Sequence, residues 1–258
     1  MKRPAVPAAI HTPGDVAKIR IVTAIVLLAL YEGVARSGLL YKDVVPSLLA
    51  VMKALLIFLG TGDSYRHLGV TAFEIVIGFG LGTIAGVALG VSFGLWRLLG
   101  EVLDPWVHYL APTPKIIFLP VLILLFGVDS GSKIAMGTIG AFFPVVVATY
   151  AGMRLVQPVL LKVARSFQAS TWQVVKMIYA PSLVVPVIGA MRIGLGASII
   201  GTLLAEIKMS RAGLGYLIMQ DYSLLRIPEM YSLLIVVMVI ALIANAGMAY
   251  LGNWLGNN

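Results

Sequence analysis

Residues 161–181 read LKVARSFQASTWQVVKMIYAP, the longest polar interruption in the hydrophobic second half of the chain. The apolar runs on either side are long enough to cross a bilayer, for which about 20 residues suffice. Within the stretch, Val163, Phe167, Val174 and Ile178 fall on or near one helical face. Lys162, Arg165, Gln168, Gln173 and Lys176 occupy the others. The pattern predicts an amphipathic, basic helix kept at one side of a membrane protein. Such a helix meets either an anionic lipid surface, at about 1 kcal/mol per basic residue, or a groove on another protein.

Composition supports the membrane. Of the 258 residues, 60% are apolar and only 12% charged, and the mean hydropathy is strongly positive. That apolar surplus exceeds what a water-soluble domain carries. The net charge of +8 comes from Lys and Arg scattered between apolar runs, as interfacial anchors are, and not from a basic patch for nucleic acid. There is no Cys, so no disulfide framework, thiol nucleophile or Cys-ligated metal is available. His11, His67 and His108 lack a local ligand spacing.

Taken in order, residues 1–18 read as a short arm and 19–258 as one transmembrane unit. A first span is expected over 19–38. An interfacial helix follows Pro46 and Ser47, and a second span covers 68–95. In that second span Gly78, Gly82, Gly86, Gly90 and Gly94 recur every four residues, a smooth stripe for close approach of another helix. A third span, 105–127, carries Pro112, Pro114 and Pro120 around Lys115. Broken backbone in lipid is tolerated only inside a bundle or beside a water-filled cavity. Further spans are expected over 134–152, 182–205 and 229–251, with a loop over 206–228. Six spans would put both termini on one side. Lys and Arg divide almost evenly between the two sides, so charge bias does not orient the protein.

Catalytic signatures are lacking. The nearest approach to a nucleotide-binding P-loop, GVDSGSK at 127–133, has the wrong spacing, and no nucleophile elbow or H-E-x-x-H helix occurs.

The basic stretch also carries a family resemblance. ATP-binding-cassette importer permeases share an EAA loop of pattern E-A-A, three residues, G, nine residues, I-x-L-P. The segment Lys162–Pro181 resembles it in spacing: Ala164 holds the last Ala, Gln168 the Gly position, and Ile178 to Pro181 the end. Lys162, Val163, Gln168 and Ala180 depart from it, and replacement of the Gly by Gln168 suggests a more continuous helix. The similarity extends to the nitrate, sulfonate, taurine and bicarbonate branch. It is carried by DP at 104–105, PTPKIIFLP at 112–120, FG at 126–127, SK at 132–133, FFP at 142–144, Arg192, Glu206 and GLGY at 213–216.

The resemblance implies an all-α polytopic membrane protein of about six transmembrane helices, with a cytoplasmic coupling helix in a loop, 153–181, between spans four and five. It implies a permease that works as a pair, docks on separate ATPase subunits through Ala164, Arg165, Ser166, Phe167, Gln168, Ala169, Ser170 and Thr171, and receives solute from a periplasmic or lipid-anchored binding protein. ATP and magnesium would be bound by the partner. This chain would need no cofactor, would catalyse nothing itself, and would sit in a bacterial inner membrane with cytoplasmic termini.

Three charged residues are candidates for a translocation pathway: Lys115, Arg192 and Glu206. Arg192, near the middle of the fifth span, would be costly in lipid and is functional by default. It either attracts an anion together with Lys115, or is neutralised internally by Glu74 or by carbonyls freed near Pro186 or Pro112. Glu206 is read either as part of an outer gate or as a solvated helix-end carboxylate, and Glu32 and Glu74 as interfacial. The expected function is ATP-driven uptake of a small, anionic solute. An ion-gradient transporter would show inverted repeats, and a passive membrane anchor would not need the Pro-rich span or Arg192.

Overall fold

The structure is a computed structural model that describes residues 13–38 and 44–256. These residues form helices α1 (Pro13–Arg36), α2 (Leu48–Gly60), α3 (Gly62–Leu95) and α4 (Arg97–Leu110). A 3₁₀ turn (Lys115–Phe118) leads to α5 (Leu119–Phe126), α6 (Ser130–Leu155) and α7 (Pro158–Ser166). Then come α8 (Thr171–Val174), a π turn (Val175–Tyr179), α9 (Ala180–Lys208), α10 (Leu214–Ser223) and α11 (Ile227–Gly256). The expected all-α class holds. Residues 1–12 of the predicted arm lie outside the described residues, and its remainder, from Pro13 on, is already helical.

α6 is the centre. On one side it meets α3 through the glycine stripe: Gly78, Gly82, Gly86, Gly90 and Gly94 face Ile134, Thr138, Val145, Thr149 and Met153 in turn. A Cβ at Gly82 would fall 2.4 Å from the Thr138 carbonyl oxygen, so the backbones come together only because no side chain stands between them. On the other side α6 meets α9 in the same way. Gly140 abuts the Ala197 carbonyl, Gly194 abuts Ala141, and Gly201 abuts the Met136 carbonyl. Ala141 and Val145 are buried between the two partners. α11 closes the bundle, burying Leu233 and Val236 against Leu214 and Ile218 of α10. Leu56, Ile57, Ile84, Leu124 and Ile243 are exposed, the face a lipid-embedded helix bundle presents.

Of the six expected spans, four, or five with a bent pair, are long and apolar enough to cross a membrane among the described residues. α3, α6, the Thr171–Lys208 run and residues 227–254 are each long and apolar enough to cross a membrane. The predicted third span is not one helix: α4 and the 115–126 segment form a pair bent by 98°. The break falls at Pro112 and Pro114, where neither residue can supply an amide hydrogen. α1 is helical as expected but carries Lys18, Arg20, Glu32 and Arg36 and is not among the spans. Four spans, or five with the bent pair, therefore qualify by length and composition among the described residues. The predicted interfacial helix is α2, capped by Ser47, whose Oγ accepts from the Ala50 amide at 3.3 Å.

Candidate functional site

The 161–181 stretch is not one helix. α7 stops at Ser166, and α8 starts after Ser170. The stop is a Schellman motif. The Ala169 amide donates to the Ala164 carbonyl at 2.9 Å, and the Gln168 amide to the Arg165 carbonyl at 2.9 Å. Gln168 stands at φ +53°, the left-handed conformation for which Gly is the default. The expectation that losing this Gly makes the helix continuous is therefore wrong: Gln168 adopts the turn itself. The restart is a capping box, in which Ser170 Oγ accepts from the Gln173 amide and Gln173 Oε1 accepts from the Ser170 amide.

The turn splits the apolar face. Val174 and Ile178 pack on a core cluster of Met153, Val156, Tyr179 and Leu183. Phe167 is left 82% exposed at the turn, with Val163 exposed beside it. Ala164 is buried, whereas Arg165, Ser166, Gln168, Ser170 and Thr171 are exposed around Phe167 and Ala169 is half-buried. An aromatic ring projects from a short turn whose two stems join α6 and α9, the helices at the bundle's centre.

A cavity of about 760 Å³ lies between the 112–118 segment, α6 and α9. Its walls are apolar, with Phe143, Pro144, Val147, Ala197 and Ile200 among them, and Lys115 is its one charged lining residue. The Lys115 ammonium donates to the Ala111 carbonyl and lies 5.2 Å from the centroid of the Phe143 ring. Lys115 opens the 3₁₀ turn that follows the break at Pro112 and Pro114.

Arg192 does not join it. Exposed on the α9 flank toward α11, its Nε donates to Asn245 Oδ1 at 3.4 Å. Asn245 stands where Glu74 or the carbonyls near Pro186 and Pro112 were expected from sequence. Glu206 is also displaced from its expected setting. It is neither solvated nor beyond the helix end, but 1% exposed within α9. Its Oε1 accepts from Thr71 Oγ1 at 2.7 Å and its Oε2 from the Gly215 amide at 2.6 Å. Glu74, expected at an interface, is 1% exposed beside it.

Sequence reasoning thus missed a buried polar cluster of His67, Thr71, Glu74 and Lys133 around Glu206. The available signal was the presence of carboxylates inside apolar runs. The GLGY run is explained by the same cluster. A Cβ on Gly213 would fall 2.4 Å from the Glu206 carboxyl, and one on Gly215 2.6 Å from its Cβ. The loop lies against the carboxylate because these two residues are glycines.

The chain is 29% identical over 194 residues to the putative aliphatic sulfonates transport permease protein SsuC of Bacillus subtilis (strain 168), covering 75% of this chain and 70% of that one. It is 26% identical over 231 residues to the taurine transport system permease protein TauC of Escherichia coli (strain K12), covering 88% and 84%. Its fold is similar to a chain of the inward-facing MetNI methionine ABC transporter, with a TM-score of 0.64 at 16% identity, covering 74% of this chain and 95% of that one. Residues 78–257, more than half of the sequence, match a family model, and the chain belongs to the binding-protein-dependent transport system inner membrane components, the permeases of ABC transporters.

Proposed function

We propose that this chain is the membrane-spanning subunit of an ATP-driven importer for a small organic anion, taken up across a bacterial inner membrane. The observation that carries the reading is the α7–α8 turn. Phe167 is an exposed aromatic anchor of the kind that fills a groove on a partner, and its stems run into α6 and α9, so a push on the turn reaches the centre of the bundle. We assign residues 164–171 to docking on an ATPase subunit, and ATP and magnesium to that subunit. A second copy of the chain completes the pathway, and a binding protein outside the membrane delivers the solute.

The substrate class is read from two observations. The names of the relatives, aliphatic sulfonate and taurine permeases, point to small sulfonates. The cavity with a single cation among apolar walls suits a molecule with one anionic group and an apolar body. Lys115 is the residue we assign to the pathway. Arg192, bonded to Asn245, is placed outside it.

Co-purification tests the docking assignment. Phe167→Asp should release the ATPase subunit or leave it bound with hydrolysis no longer linked to uptake. Full coupling in that variant would refute the assignment.

A further inference from the structure

We propose that Pro181 is a positioning residue for coupling, and that the π turn it holds open, Val175–Tyr179, is a two-register joint between the docking turn and α9. The inference rests on the assignment of residues 164–171 to the ATPase.

Helical structure runs from Thr171 to Lys208 and passes through the π turn on the way. In a π turn each hydrogen bond spans five residues instead of four, so the turn takes in about one extra residue. Here the Ala180 amide donates to the Val175 carbonyl, five residues back. The cause lies one residue further on. Pro181 has no amide hydrogen for the Met177 carbonyl, and in an α register its ring would strike that carbonyl. Widening the turn relieves the clash. Ser182 Oγ then donates to the Ile178 carbonyl at 2.7 Å.

Packing shows where the extra residue goes. Val174 and Leu183 lie on the same core cluster, with Met153 and Val156. They are nine residues apart, and nine residues of unbroken α-helix turn through about 900°, which would set them on opposite sides. The widened turn brings them round to one side.

The sequence also supplies a second register. Val174–Val175 and Ile178–Tyr179 are adjacent apolar pairs, four residues apart, and all four side chains reach the cluster. If the turn closed to α, α8 would rotate by about 100° relative to α9. Val175, eight residues from Leu183, would then take the place of Val174, and Tyr179 would keep its place one turn away. Apolar burial is conserved in either register. The outer side is clear, because Lys176 and Met177 are both exposed. Pro181 opposes closure, and the poorer geometry of the widened turn opposes opening. The joint lies between Phe167 and Pro186, the first residue of α9 to line the cavity. A movement of the ATPase groove would therefore reach the cavity wall as a rotation of α8 against α9.

The test uses the assembled transporter in lipid nanodiscs. The chain has no Cys, so Trp172→Cys and Val185→Cys place spin labels at two exposed positions flanking the joint. Pulsed electron spin resonance should give one distance without nucleotide and a second with ATP trapped on the ATPase. Pro181→Ala offers the Met177 carbonyl its missing donor and should populate the second distance without ATP. Deletion of Met177 combined with Pro181→Ala locks the turn in α while Val174 and Leu183 stay on one side. That variant should still co-purify with the ATPase and hydrolyse ATP, but lose uptake. A single distance that ATP leaves unchanged overturns the joint, and this measurement needs no deletion variant to fold. A deletion variant that takes up solute like the wild type also overturns it. Distances in Pro181→Ala identical to those of the parent overturn the role of the proline. Phe167→Asp with full coupling would strike the docking assignment instead, whatever the distances show, so the two failures are distinguishable.

Discussion

Gly82 offers the sharpest test of how the bundle is held together. A methyl group there would sit 2.4 Å from the Thr138 carbonyl oxygen, 2.8 Å from Ala141 Cβ and 3.1 Å from the Phe142 amide nitrogen. Two of these three are backbone atoms, so no side chain can turn aside. The helices must open locally by about 1 Å to restore ordinary contact, and a gap of about 0.5–1 Å forfeits a quarter to a half of each dispersion contact beside it. Overpacking of this kind costs about 1–3 kcal/mol. Alanine also gains up to about 1 kcal/mol over glycine from helix propensity, which would blur a single measurement. Gly80 supplies the control, since it lies in the same helix with nothing within 4 Å of its would-be Cβ. The propensity gain is common to both, so the difference between Gly82→Ala and Gly80→Ala isolates the contact, at about 1–3 kcal/mol. Thermal or denaturant unfolding of the purified proteins in mixed micelles measures it. If both variants unfold together, the stripe is not a packing surface.

Three further expectations concern single sites. Gln168→Gly should leave the α7–α8 turn and ATPase coupling intact, whereas Gln168→Val should cost about 1–2 kcal/mol and weaken coupling, because a β-branched residue strongly resists φ > 0; coupled ATP hydrolysis reads both. Lys115→Gln should lower uptake of an anionic solute at least tenfold while Arg192→Gln changes it less than twofold, if a desolvated charge contact of about 1.5–3 kcal/mol is lost only at Lys115; initial uptake rates decide. In α10, outside the spans, burial and then the neighbouring Glu229 raise the Asp221 carboxyl above its usual range against the pull of Arg226. A raised acid favours the folded state most below its unfolded pKa, and the advantage fades as pH rises through the interval up to its folded pKa. Asp221→Asn should flatten unfolding-versus-pH curves in that acidic window and be neutral or stabilising at pH 7.

The glycine stripe could be read from the sequence because every fourth residue is small and a helix repeats nearly every fourth. The turn at 167–170 was readable only in half. Ser170 and Gln173 spell a capping box, but the missing Gly pointed to continuity. Two Schellman hydrogen bonds hold Gln168 at +53° instead. Arg192 shows a different limit. Its depth in a helix was legible, but the face it occupies depends on where α11 packs. Burial of Glu74 and Glu206 was hidden for the same reason: Thr71 and Gly215 reach Glu206 from separations of 135 and 9 residues. The bend at Pro112 and Pro114 was signalled by proline, but its size, 98°, was not.

The central claim is that ATP hydrolysed by a partner drives solute through this chain. The most direct measurement is uptake of labelled taurine and of a short alkanesulfonate into proteoliposomes containing this permease and its ATPase subunit, with the solute's binding protein outside and ATP sealed inside. The account predicts uptake that requires internal ATP, stays unchanged when proton and sodium gradients are collapsed, and disappears with Phe167→Asp. Uptake driven by an ion gradient in vesicles without ATP would contradict it.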